Sequence, residues 1–158
     1  MSDHTAARIT IAGSLSADLV DHFLTLLADE GLGIDYSGFD EAAIRAALDS
    51  GARLDLVANG VAGGLFDEVE QFCRENDLSY SRGDDGHYTW TPTVAFWEPG
   101  MEAPKEWTGS VDDHVPHLSV NEIAKHLSAG TLDAELKLMK RAKNMPGTFS
   151  VVPASPAP

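Results

Sequence analysis

Apolar positions along this chain fall into short alternating runs and longer stretches with a three-to-four residue rhythm, so strands and amphipathic helices are both expected. Ile9-Thr10-Ile11 alternates within Arg8 to Gly13 and predicts a strand. From Ala17 to Glu30, Leu19, Val20, Phe23, Leu24, Leu26 and Leu27 recur at helical spacing, with Asp18, Asp21 and His22 between them. Ser14 or Ser16 can cap that helix, and Gly31 and Gly33 stop it. Leu32 to Tyr36 predicts a second strand, and Phe39 to Ser50 predicts a helix capped by Asp40 and closed by Gly51.

The order then repeats. Arg53 to Val57 reads as a strand, and Gly64 to Asn76 as a helix with Leu65, Phe66, Val69, Phe72 and Cys73 on one side; Asp77 to Tyr80 reads as a strand again. At an offset of 46 residues Ala12 meets Ala58, Leu19 meets Leu65, Asp21 meets Asp67 and Leu32 meets Leu78. The strands Ile9-Thr10-Ile11 and Leu54-Asp55-Leu56 agree only at an offset of 45, which predicts one inserted residue, a bulge near Val57. Two β-α-β units in series predict an α+β fold of the ferredoxin-like (split β-α-β) sandwich type, with the Phe39 to Ser50 helix joining the halves.

Asp84-Asp85-Gly86 is a hairpin signal leading into an extra strand within His87 to Trp97, which Pro92 confines to an edge or breaks. From 98 to 118, Pro99, Pro104 and Pro116 with Gly100 and Gly109 predict a surface connection. Ser119 and Glu122 have capping-box spacing at the start of a helix, Val120 to Ala129, which Gly130 ends. A second helix runs from Thr131 to about Lys143, giving a C-terminal helical pair. Met145 to Pro158 holds four prolines and predicts a disordered tail. The expected division is thus a sandwich domain over 8–97, a Pro/Gly-rich connection over 98–118, the helical pair over 119–143 and the tail over 144–158.

Composition supports one domain with a real core: 158 residues, 43% hydrophobic and 23% charged. Charge narrows the function. Twenty-five acidic against 11 basic side chains give a net charge of −14, which repels phosphate backbones and anionic lipid, so direct nucleic-acid and membrane binding are disfavoured. No run approaches the roughly 20 apolar residues of a membrane span, and Met1 to Arg8 lacks the order of a signal peptide. One cysteine, Cys73, precludes an internal disulfide framework, and its place in an apolar rhythm predicts an inert buried thiol; the cytoplasm is the expected compartment.

The charge is uneven: residues 1–118 carry a net −16 and residues 119–158 a net +2. Asp18, Asp21, Asp29, Glu30, Asp67, Glu68, Glu70, Glu75 and Asp77 fall largely on the exposed sides of the two predicted sheet-covering helices, where rows of carboxylates resemble the charge spacing of a duplex. The favoured reading is a non-catalytic acidic interaction protein, an adaptor or an inhibitor with nucleic-acid-like charge. It would meet a protein partner through Asp21, Glu30, Asp67, Glu68 and Glu75 and through the aromatic residues Tyr88, Trp90 and Trp97, and self-association is compatible with it. The competing reading is a small metal-dependent enzyme centred on the loop Asp112-Asp113-His114-Val115-Pro116-His117, with His126 as a third imidazole. No zinc-type spacing is present, so neither a metal nor a cofactor is expected, and His114 and His117 are the only candidates to hold one. Third comes a nucleic-acid contact through Lys137 to Lys143, where four cations also complement the end of a helix.

Overall fold

In a computed structural model, which describes residues 4–111 and 113–154, helices form where apolar residues recur at helical spacing and strands where they alternate. The helices are α1 (Val20–Asp29), α2 (Glu41–Leu48), α3 (Asp67–Glu75), α4 (Val120–Ala129) and α5 (Leu132–Lys143). Asp40 caps α2 by accepting from Ala43 N at 3.3 Å, and Ser119 and Glu122 form the reciprocal box that opens α4. The strands are β1 (His4–Ser16), β2 (Leu54–Ala62), β3 (Ser79–Asp84), β4 (Thr93–Trp97), β5 (Lys105–Gly109), β6 (Pro116–His117) and β7 (Phe149–Val152). They build one sheet in the order β2-β1-β3-β4-β5-β6, antiparallel throughout, with β7 added parallel to the C-terminal end of β1. Among the described residues no helix is long and apolar enough to cross a membrane.

The α+β class is as expected, and the strand order is not that of a split β-α-β sandwich. β1 and β2 are direct antiparallel neighbours, with Ile9 opposite Leu56, so the helices between them do not close a parallel β-α-β unit. Leu32 to Tyr36 supplies only a bridge from Gly33 to Val57, because the segment doubles back: a Cβ on Gly33 would stand 2.1 Å from the Gly38 carbonyl oxygen. No bulge occurs at Val57, through which the pairing with β1 is continuous; β2 does carry one extra residue, further along. Thr5 faces Val61 while Ala7 faces Ala58, which places the extra residue between Ala58 and Val61, where Gly60 adopts φ 64°.

Later segments depart further from expectation. The extra strand begins only after Pro92, and the residues before it make a single bridge between His87 and Trp90. The 98–118 connection holds two strands, β5 and β6, which extend the sheet beyond β4. The expected tail returns to the core: Met145 and Phe149 are buried, and β7 pairs from Gly13↔Phe149 to Ser16↔Val152. Its prolines bracket the strand at Pro146 and Pro153, while Pro156 and Pro158 lie outside the described residues.

The two faces of the sheet are built differently. One is covered by α1, α2 and α3, where Ile9, Ile11, Leu54, Leu56, Tyr80 and Trp97 pack with Phe23, Ile44, Val69, Phe72 and Phe149. Phe23 stacks on Phe72 at 5.3 Å and on Phe149 at 5.8 Å, which ties the returning tail to the first helix. This covered face also encloses charge. Arg82 is 3% exposed, with its Nε 3.0 Å from Glu70 Oε2 and its Nη1 donating to the Gly64 carbonyl. Asp84, fully buried beside it, accepts from Gly86 N, Trp90 Nε1 and Thr93 N, so the ion cluster anchors the segment leading to β4. The second face is apolar only where α5 lies on it: Val94, Phe96 and Trp107 meet Met139, Ala142 and Met145. At β1 and β2 that face carries Arg8, Thr10, Asp55 and Val57, none of them buried.

Candidate functional site

α1 and α3 pack side by side on the covered face and bring part of the predicted acidic set together. Glu30 feels Glu68, Asp67, Glu70 and Asp29; partial burial, and then these like charges, push its carboxyl above the ordinary range. Glu30, Asp67 and Glu68 therefore form one acidic ridge. The other two predicted contact acids are engaged: Asp21 receives Arg45 Nη2 at 2.9 Å, and Glu75 accepts from Gln71 Nε2 at 2.8 Å. Glu70, expected on the exposed side of the same helix, is instead buried against Arg82, because the helix turns it toward β3.

The predicted aromatic contacts separate as well. Tyr88 is 98% exposed, with the His87 ring 4.4 Å away, and Trp90 is half-buried with its Nε1–H donating to Asp84. Trp97 belongs to the core: it is buried, stacks near Tyr80 and donates to the Met101 carbonyl at 3.0 Å, so it presents no ring to a partner.

Of the loop read as a metal candidate, Asp112 lies outside the described residues. His114 is buried, with φ 50°, and Nε2 sits 2.7 Å from Asp85 Oδ1. Its ring lies on Gly83, where a Cβ would come within 2.5 Å of His114 Cγ, so only glycine admits it there. His117 is exposed on β6 opposite Thr108, and His126 engages Thr131 Oγ1 at 2.8 Å. The three imidazoles thus have separate surroundings, and among the described residues no three His, Cys, Asp or Glu side chains are arranged to hold a metal. Cys73 is fully buried, and burial pushes its thiol far above the usual range, away from nucleophile chemistry. The basic run is divided around α5: Lys137 pairs with Asp133 at 3.1 Å and Arg141 with Glu98, while Lys140 and Lys143 project elsewhere.

One surface lay in the sequence pattern without being recognisable as a surface. α4 has no buried residue, although Val120, Ile123 and Leu127 share one side at helical spacing. Val120 is 82% and Leu127 63% exposed, and Ile123 and Leu136 of α5 are also exposed. The helix is held from its ends, by the Ser119–Glu122 box, by the left-handed cap at Gly130, and by His126, which reaches Thr131 and approaches buried Glu135 at 4.0 Å. The periodicity of α4 signals an apolar face in the sequence, but only the fold shows that this face points outward. Comparison of the chain with protein-family models, with curated proteins and with solved structures finds no match.

Proposed function

We propose that this protein is an interaction protein, an adaptor or inhibitor, that docks a protein partner through the apolar side of α4 and Leu136. The observation that carries the reading is a ten-residue amphipathic helix with none of its residues buried. A fold in water gains nothing from such a face unless something covers it, and three anchors at i, i+3 and i+7 match the way helices enter apolar grooves. Fully burying an aliphatic side chain of this size contributes about 1.5–3 kcal/mol, so three anchors supply a usable docking energy. The ridge of Glu30, Asp67 and Glu68 adds long-range steering toward a cationic partner rather than affinity at contact. This keeps the acidic face as an accessory and places the anchor elsewhere.

The test is site-specific photocrosslinking in the native host with the probe at Leu127, and at Glu106, an exposed position on β5, as the control. A discrete adduct is expected from Leu127 only. Ile123→Ser with Leu127→Ser should weaken association with the crosslinked protein by about tenfold or more and leave the melting temperature unchanged. An adduct pattern equal at both positions, or binding unaffected by the double variant, overturns the reading.

A further inference from the structure

We infer that the uncovered half of the second sheet face is a binding site for a small phosphate-bearing molecule. A cavity of about 250 Å³ opens there between the sheet, the end of α5 and the His114 loop. Its floor holds Thr10 and Asp55, and Arg8, Arg53 and Lys143 stand around it. Only 11 of the 158 residues are Lys or Arg, and four of them line this one cavity in a chain of net charge −14; Arg82 turns its side chain to the covered face, which leaves the charges of Arg8, Arg53 and Lys143 here.

What those cations touch decides the matter. Arg45, Arg82, Lys105, Lys137 and Arg141 are bound directly to carboxylates. Arg8 instead donates from Nη2 to the Asp113 carbonyl at 2.9 Å, while Arg53 donates from Nη1 to the Met145 carbonyl at 3.2 Å and keeps only a longer contact, 3.6 Å, to the exposed Asp55. A neutral carbonyl fixes the Arg8 guanidinium without cancelling its charge, and Arg53 is held between a carbonyl and that long contact, so both are oriented where they line the cavity. Lys143 makes no ion pair among the described residues. Among the described residues the opposing charges are few. Asp55 lies 3.6 Å from Arg53 Nε and accepts the Thr10 hydroxyl at 2.8 Å, while the Asp113 carboxylate at the rim accepts from Ser110 and feels the Lys143 ammonium without pairing with it. The C-terminal carbonyls of α5 add a partial negative charge, which the Lys143 ammonium offsets. In the cavity wall His114 is 6% exposed, and its Nδ1 is buried with no hydrogen-bond partner, a polar atom that the protein alone leaves unsatisfied.

Two guanidinium forks and an ammonium suit a tetrahedral oxyanion, whose several oxygens accept from all three at once. The volume of about 250 Å³ suits a small molecule carrying one such group. Repulsion from the acidic body is screened beyond about 8 Å at physiological salt, so the local cations govern the site.

The experiment is an amide-resolved NMR titration with inorganic phosphate, a phosphate monoester and succinate as probes. Saturable shifts at Arg8, Gly83 and Lys143 are expected, with a Kd at or below about 1 mM for phosphate or its ester. Lys143→Gln, an exposed side chain whose loss cannot unfold the protein, should weaken binding about tenfold, as should Arg8→Gln, whereas Lys125→Gln on α4 should change nothing. An ester that outcompetes inorganic phosphate assigns an organic ligand, and equal affinity assigns the ion itself. Shifts that fail to saturate, that keep the parent affinity in Lys143→Gln, or that succinate reproduces at equal affinity overturn the proposal.

Discussion

Arg8 and Arg82 sit one register step apart, opposite Gly83 and Ile9 respectively, yet they project from opposite faces of the same sheet. Arg82 is enclosed by α3 and matched by Glu70 and Asp84, whereas Arg8 looks onto an open polar floor and, among the described residues, is held by one backbone carbonyl. The covered face has spent its charges on structure. The open one holds them more loosely: Arg8 by a carbonyl, and Arg53 by a carbonyl and a 3.6 Å contact to exposed Asp55. α4 and α5 repeat the contrast within the helical pair, since α5 buries Met139 and Ala142 and α4 buries nothing.

The largest effect expected from breaking the covered face comes at its far end. Truncation after Asn144 removes β7, Met145 and Phe149, and Phe149 is fully buried with its ring stacked on Phe23. Loss of a buried phenylalanine alone costs about 3–5 kcal/mol, and the total stability of a small domain is about 5–15 kcal/mol. With the β7 pairing gone as well, the truncated chain should fail to fold, as read by circular dichroism and amide dispersion. A cooperative thermal transition in the truncated chain would show the sheet to be self-sufficient without its last strand.

That tail was the least legible part of the sequence, and the reason is physical. Phe149 and Val151 look like isolated apolar residues among prolines, and only pairing with Gly13 to Ser16, at the other end of the chain, makes them a strand. Lys105 to Gly109 was hidden in the same way, because Pro104 and Gly109 read as breaks until β4 lies beside them. Helices carry their signal locally, so α1 to α5 and the Ser119–Glu122 box could be read directly from spacing. Strand order could not, and an apparent repeat of strand and helix suggested parallel units where the chain builds antiparallel neighbours. For the site, the acids of α1 and α3 were legible as a charged side, but the meeting of Arg8, Arg53 and Lys143 was not: it joins three elements distant in the chain.

The intermediate effect sharpens the contrast between the two arginines. Arg82→Met leaves Glu70 and Asp84 buried without their cation, and removing one partner of a buried pair costs about 3–5 kcal/mol. Arg8→Met breaks a hydrogen bond to one carbonyl on an open face and should cost about 1 kcal/mol or less. Denaturant midpoints for the two variants, measured side by side, check the difference. Equal losses would mean that the cavity face contributes to folding as much as the covered one.

The smallest effect concerns the acidic ridge and its pH dependence. Glu30 is raised above the ordinary glutamate value of 4.5, first by burial and then by Glu68, Asp67, Glu70 and Asp29. A raised carboxyl means that the folded state holds its proton more tightly than the unfolded state does, so protonation favours folding. The contribution is fully present below pH 4.5, declines as pH rises through the folded value, and is gone above it. Glu30→Gln removes the titration. The variant should match the parent near pH 4 and exceed it at pH 7, by about 0.5 kcal/mol or less because solvent reaches most of the side chain. Thermal melts at the two pH values and at low and high salt check this. Added salt should shrink the part of the gain that comes from the neighbouring carboxylates and leave the part that comes from burial. A Glu30→Gln variant less stable than the parent at pH 7 would mean that the ridge is held by favourable contacts. It would then no longer be the repulsive surface that a cationic partner could relieve.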